Sequence, residues 1–202
     1  MKLVVAATGA SSAIYTQRLL DNLDLSQHEI HYIATRHAQE VQELELGMAA
    51  SVSDAAGECR RDGGYYNGLR IPEGAKTYDE TGSMFVPFVS GSAKFDAMVI
   101  IPASMGTVGR IASGVSDTTI ARAADVFLKE QRKLILVPRE TPYNLIHLRN
   151  MVTLTEAGAT IIPASPSFYS RPQTITDLVD TIIARVLDHL GIEHALSKRW
   201  QQ

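Results

Sequence analysis

Along this chain, short solid apolar runs alternate with stretches whose apolar residues recur every three or four positions. Val4 to Ala7 reads as a buried strand, and Ile14, Leu19, Leu20 and Leu23 follow close to helical spacing. Between them, Thr8-Gly9-Ala10-Ser11-Ser12 forms a strand-to-helix corner. The pattern then repeats. Glu29 to Ala34 is a second short strand, and a helix from about Ala38 to Leu46 stops at Gly47. Ala97 to Ile101 is a buried strand ending in the small-residue corner Pro102-Ala103-Ser104-Met105-Gly106-Thr107. Helices near Val108 to Ser113 and from about Thr118 to Glu130 lead to the strand Leu134 to Val137. That strand stops at Pro138-Arg139-Glu140-Thr141-Pro142. A helix through Leu148, Met151 and Leu154, the strand Thr160 to Ile162, the corner Pro163-Ala164-Ser165-Pro166 and a long helix from about Ile175 to Leu190 complete the series.

Strands alternating with helices specify an α/β fold: a Rossmann-like, doubly wound, mostly parallel sheet with helices on both faces, in one domain. Ligands in such folds sit at the carboxyl ends of the strands. Four ends carry chemistry here: Thr8 to Ser12, Ser104 to Thr107, Arg139-Glu140, and Pro163 to Arg171. They are expected to converge on one edge. The spacing Gly-x-Gly-x-x-Gly is missing after the first strand, so a mononucleotide fits better than a dinucleotide. Only the stretch from Ala50 to Ala93 resists this reading, because its glycines and prolines are dense turn signals. A structureless loop of that length is improbable in a compact domain, so short elements are expected within it.

The chain has 202 residues, 45% hydrophobic and 20% charged, with a formal net charge of -3. That length supports one substantial core. The charge offers no broad basic surface for nucleic acid. Neither an apolar run of about 20 residues nor a signal peptide appears, so the expectation is a cytoplasmic protein with no membrane partner. Cys59 is the sole cysteine, and no Cys/His cluster has zinc-ligand spacing, so no metal is expected.

A helix beginning right after the first corner leaves N–H groups unpaired, which favours an anion or an electron-rich ring edge there. The simpler reading is that Ser11 or Ser12 caps the helix. Arg139-Glu140 directly follows a buried strand, where desolvation is costly unless the charges do something specific. An internal salt bridge or plain exposure would also account for the pair. Arg122 and Lys129 are seven residues apart, on one helix face two turns apart. Such a face binds phosphate or is merely solvated. Tyr169, Arg171 and Arg185 add a phenol and two guanidinium forks near the last corner and helix. The six histidines show no metal spacing, and no Gly-x-Ser-x-Gly elbow supports a hydrolase.

Taken together, Thr8-Gly9-Ala10-Ser11, Pro102 to Thr107, Arg122-Ala123-Ala124-Asp125, Leu128-Lys129-Glu130, Pro138 to Pro142, Phe168-Tyr169 with Arg171-Pro172-Gln173, and Ala184-Arg185 resemble the UbiX family of flavin prenyltransferases. The resemblance runs in unbroken order from about residue 2 to 192. It marks residues 1–192 as an FMN-binding flavoprotein domain and 193–202 as a C-terminal tail.

The resemblance implies a metal-independent transferase that joins the dimethylallyl group of dimethylallyl monophosphate to N5 and C6 of reduced FMN. The product would serve UbiD-type decarboxylases. It also implies a homo-oligomer, dodecamers among them, with sites at subunit contacts. On this basis Gly9, Ala10, Ser11, Thr35, Ser104, Met105, Gly106, Thr107 and Arg139 would contact the flavin, with Ser11 near the reacting nitrogen. Arg122, Lys129, Tyr169 and Arg185 would bind the donor phosphate, where fixed cations stabilise the charge of the leaving group. No Asp-Asp-x-x-Asp cluster is present to hold magnesium. Glu140 would act as the acid/base, with Glu45 in support.

Ser12 departs from the family pattern, which commonly has glycine there; a side chain could crowd the flavin. Thr35 stands where serine is common. Met84 and Phe85 would be pocket walls or, more simply, core. A flavin-dependent cysteine decarboxylase is the nearest alternative, but it would want an asparagine in the Ser104 corner and a Pro-x-Met-Asn-type motif, and neither is found. A non-catalytic FMN-binding subunit is the other.

Overall fold

The protein is described by a computed structural model covering residues 1–47, 64–66, 68–80, 82 and 84–196. Cys59 and most of the first half of the turn-rich stretch lie outside these residues. The strand β1 (Lys2–Ala7) leads into α1 (Ala13–Asp21), β2 (Glu29–Ala34) and α2 (Arg36–Leu46). A small antiparallel hairpin, β3 (Gly64–Tyr66) with β4 (Leu69–Ile71), precedes β5 (Lys76–Asp79). Then come β6 (Ala97–Ala103), α3 (Met105–Ala112), α4 (Thr119–Lys129), β7 (Lys133–Pro138), α5 (Leu145–Glu156), β8 (Thr160–Ile161) and α6 (Ile175–Leu190). The expected short elements in the turn-rich stretch are therefore β3, β4, β5 and a 3-10 turn at Pro87–Val89.

The main sheet is six-stranded in the order β5-β2-β1-β6-β7-β8, and every pairing in it is parallel. Its central strands are apolar on both faces because helices cover both. Leu3, Val5 and Ala7 share a core with Leu19 and Leu20 of α1 and Ile183 and Leu187 of α6. Val4 and Ala6 turn the other way, toward Val108 of α3 and Ile120 and Phe127 of α4. The same period of two divides Val99 and Ile101 from Met98 and Ile100 in β6. The apolar runs of the sequence encode this two-faced burial.

Two polar contacts pin the periphery. Arg18 of α1 meets Asp180 of α6 through two bonds of 2.8 Å, tying the helices that cover one face. At the outer edge, Nε2 of buried His31 donates to Glu29, which leaves Nδ1 to accept from the Tyr78 hydroxyl. Burial holds this imidazole below its usual pKa, and Lys76 above all holds the Glu29 carboxyl down to about 2. His31 is thus a satisfied core histidine.

The chain runs outward from β1 to β2 on one side and to β6 on the other. β1 and β6 therefore flank the switch point, whose carboxyl ends open into a crevice.

Candidate functional site

At that crevice the β1–β6 ladder ends with Ala6 opposite Ile100; one more backbone bond follows, from the Thr8 N–H to the Pro102 carbonyl at 3.1 Å, and side chains supply the rest. Pro102 has no N–H to give, so the bonding beyond the ladder must come from elsewhere. The Thr8 hydroxyl, 1% exposed, donates to the Pro102 carbonyl at 3.0 Å and accepts the Ser104 N–H at 2.7 Å. Thr16 of α1 donates to the Ile101 carbonyl at 2.6 Å. The neighbouring ends are joined by the Thr35 N–H to the Ala7 carbonyl and the Arg139 N–H to the Ala103 carbonyl. Arg139 then reaches across with Nε to the Ser11 carbonyl, at 3.3 Å. This is its observed engagement, in place of an internal pair with Glu140. Four strand ends that are distant in sequence form one stitched rim.

The first corner corrects the expectation of a serine cap. Ser12 occupies the cap position of α1, yet its side chain caps nothing, and its backbone is left-handed at φ 95°. Glu45, in the last turn of α2, does the capping. Its carboxylate accepts the Ser12 N–H at 2.8 Å and the Ala13 N–H at 2.7 Å. Two consecutive N–H groups around a left-handed residue make an anion nest, and the chain fills it with its own carboxylate. The glycine that the resemblance expects at position 12 is the residue this backbone favours.

Gly9 has a steric reason of its own. A Cβ there would lie 2.6 Å from Cβ of His37, so α2 can approach the corner only over a glycine. On the second corner the helix α3 begins at Met105, earlier than the expected Val108, with Ser104 as its cap accepting from the Thr107 N–H. Thr35 caps α2 in the same way through the Ala38 N–H. In both helices the first-turn N–H groups ahead of these caps face the crevice end of the sheet, where a flavin ring edge or phosphate would find donors. Gly106 is exposed, and a Cβ there would meet only Arg110, at 3.6 Å. These residues fit a flavin: corners of small residues with helix-start N–H groups, bridged by Arg139 at the Ser11 carbonyl.

The proposed phosphate ligands are placed differently. Both α4 and α6 run back from the carboxyl edge, so Lys129 and Arg185 sit about 15 Å down their helices, on opposite faces of the sheet. Arg185 is accordingly not beside the last corner. Each cation is paired on its own helix or just past its end: Arg122 with Asp125 at 3.0 Å, Lys129 with Glu130 at 2.8 Å, and Arg185 with Asp188 at 3.3 Å. Lys129 also borders the loop Ser90-Gly91-Ser92, which Arg132 holds through the Gly91 and Ala93 carbonyls. Glu140 is half-buried and accepts the Thr141 N–H. Tyr169 is exposed, as are Met84 and Phe85, which overturns the core reading of the last two.

Sequence reasoning missed Thr8 and Thr16 as the residues that stitch the crevice. A threonine just after a buried strand, in a chain whose partner strand carries a proline, was the available signal.

This fold and rim define a flavoprotein, and the chain matches the Flavoprotein family over residues 1–187. A relative named flavin prenyltransferase UbiX, from Methanocaldococcus jannaschii, is 40% identical over 200 residues, covering 99% of this chain and 98% of its own. The chain belongs to the UbiX family of flavin prenyltransferases. Among solved structures, AnUbiX in complex with FMN and dimethylallyl pyrophosphate aligns at TM-score 0.85 and 34% identity, covering 100% of this chain and 97% of that one. A dodecameric FMN-dependent UbiX-like decarboxylase from Escherichia coli O157:H7 aligns at TM-score 0.82 and 37% identity over the full length of both chains.

Replacing Thr8 with valine keeps the shape but leaves the Ser104 N–H without its partner and the Pro102 carbonyl with the Thr8 N–H alone. Chemical denaturation is expected to show a loss of about 1–3 kcal/mol, together with weaker FMN binding by titration. Ser12→Gly is expected to move stability the other way. Relief of a left-handed non-glycine backbone is worth about 1–2 kcal/mol, less the chain-entropy cost of glycine of about 0.5–1 kcal/mol. A denaturation midpoint at or below that of the parent would contradict the strain assigned to Ser12.

Proposed function

We propose that this protein transfers the dimethylallyl group of dimethylallyl monophosphate to reduced FMN, the flavin lying in the crevice between the Ser11 and Ser104 corners. The observation that carries this reading is the stitched rim. The backbone of Gly9, Ala10 and Ser11, the α3 first turn at Ser104, Met105, Gly106 and Thr107, and the α2 cap Thr35 all open onto one place, with Arg139 bridging to the Ser11 carbonyl. Small residues allow a planar ring to approach the backbone, and unpaired N–H groups give its polar edge partners.

Reduced FMN is the acceptor, and its reaction is an alkylation. One C–O bond of the donor breaks, a bond from the prenyl carbon to N5 forms as N5 gives up its proton, and inorganic phosphate leaves. A second bond then forms to C6; the alkene takes up one proton and C6 gives one up. The protein's part is to orient the donor, neutralise the departing phosphate and move those protons. Arg122, Lys129, Tyr169 and Arg185 supply the cations and hydroxyl for the phosphate, and such groups are most effective in a site from which water is excluded. Glu140 is placed next to Arg139 on the rim and acts as the acid/base; Glu45 holds the Ser11-Ser12 corner to which the reacting nitrogen is bound.

A single chain holds Lys129 and Arg185 far from its own rim, so the site is completed by further copies, in line with the dodecameric assembly of a relative. The apolar side chains Leu145, Ile146, Leu148 and Val152 of α5, with Phe168 and Ile175, are exposed in one chain and supply surface for that contact. Among the described residues no helix is long and apolar enough to cross a membrane, and with a formal net charge of -3 the cytoplasm is the proposed setting. A UbiD-type decarboxylase is the proposed recipient of the product.

Purified protein mixed anaerobically with reduced FMN and dimethylallyl monophosphate is expected to yield flavin heavier by one prenyl unit and an equal amount of phosphate, without added metal. Flavin of unchanged mass at saturating donor would refute the assignment. Glu140→Gln is expected to bind FMN normally and to stop before the second bond, leaving flavin of the added mass whose absorption spectrum differs from that of the product. Wild-type product formation in that variant would remove Glu140 from the acid/base role.

A further inference from the structure

The helix α6 ends at Gly191, whose φ of 74° turns the chain back along the helix, and Ile192 and Leu196 then pack against the core beneath α6. Residues 192–196 are thus docked. His194 among them is 9% exposed and points Nε2 at Oδ1 of Asp188, at 3.2 Å. Its other nitrogen, Nδ1, accepts the Leu196 N–H at 3.3 Å, so the neutral ring carries its proton on Nε2 and donates it to Asp188. The second oxygen of Asp188, Oδ2, accepts from one terminal nitrogen of Arg185, at 3.3 Å.

We infer that Asp188 and His194 are positioning residues that hold the Arg185 guanidinium ready for the donor phosphate. The inference rests on the reading of Arg185 as a phosphate ligand. Arg185 is 63% exposed and sits on a long flexible stem, so in isolation it would lose side-chain freedom on meeting a ligand. Asp188 removes part of that freedom beforehand, and the largely covered imidazole of His194 fixes Asp188 in turn. The carboxylate engages a single guanidinium nitrogen, leaving the other N–H groups of the fork for phosphate oxygens. With those groups left open, Asp188 aids phosphate capture by orienting Arg185 more than it opposes it by competing.

The test is steady-state kinetics at varied dimethylallyl monophosphate with saturating reduced FMN. Asp188→Ala and His194→Ala are each expected to raise KM for the donor about 3-fold, the range of a partly exposed ion pair, with kcat and FMN affinity little changed. Because they act through one contact, the double variant is expected to match the singles, and Asp188→Ala is expected to add nothing in an Arg185→Ala background. His194→Gln retains an N–H donor and is expected to keep the parent KM. His194 lies outside the helix, so its two variants carry the test should Asp188→Ala fail to fold. If Arg185→Ala raises KM while the Asp188 and His194 variants leave it unchanged or lower it, the positioning role is wrong and the Arg185 assignment stands. If Arg185→Ala itself leaves KM unchanged, both fall. A parallel loss of kcat and FMN affinity in the Asp188 and His194 variants would show general disruption and overturn the proposal.

Discussion

The separation of β1 from β6 at their carboxyl ends is the constraint from which the site follows. A crevice in a parallel sheet exposes ladder groups that must find partners, and burial makes each unpaired one expensive. Here a proline in β6 deepens the problem by removing a donor. The two threonine hydroxyls answer it without closing the gap: Thr8 joins its own N–H on the Pro102 carbonyl and takes the Ser104 N–H, and Thr16 takes the Ile101 carbonyl. Side-chain oxygens thus extend the bonding past the end of the ladder while the rim remains open above. Ser11 and Ser104 owe their fixed spacing to this bonding, and a ligand between them meets preorganised backbone.

The charges tell a complementary story. Arg122, Lys129 and Arg185 each face a carboxylate one or three residues away. Such pairs contribute little to stability when exposed. Their larger effect is on the surface potential: three bare cations brought together would repel one another, whereas paired ones can approach at small electrostatic cost and still offer N–H groups. On the proposed assignment of these cations to one phosphate, their places on opposite faces of the sheet call for an assembly that brings those faces together.

Much of the architecture was legible because two-faced burial writes itself as solid apolar runs. Glu29–Ala34 and Ile175–Leu190 fall where periodicity placed them, and Gly47 ends α2 in the left-handed conformation that its position predicted. The corners were legible as clusters of small residues after strands. What periodicity cannot carry is a contact between residues far apart in sequence. Glu45 to Ser12, Arg139 to Ser11 and Thr8 to Ser104 span 33, 128 and 96 positions. The direction of a helix is likewise invisible in a list of motifs; Arg185 follows the last corner in sequence, whereas α6 carries it away from that corner.

Ser12 brings these threads to one residue. A non-glycine side chain in the left-handed region is strained, and such strain persists only where surrounding structure over-determines it. The over-determination is visible: Glu45 grips two consecutive N–H groups, Arg139 holds the Ser11 carbonyl on the preceding residue, and Gly9 lets α2 come close enough for Glu45 to reach. Removing any one of these would let the corner relax away from the crevice. Because Glu45 lies two residues before the Gly47 stop of α2, the geometry of the first corner is tied to the end of the second helix. A serine on a backbone that favours glycine is therefore held in place by charge.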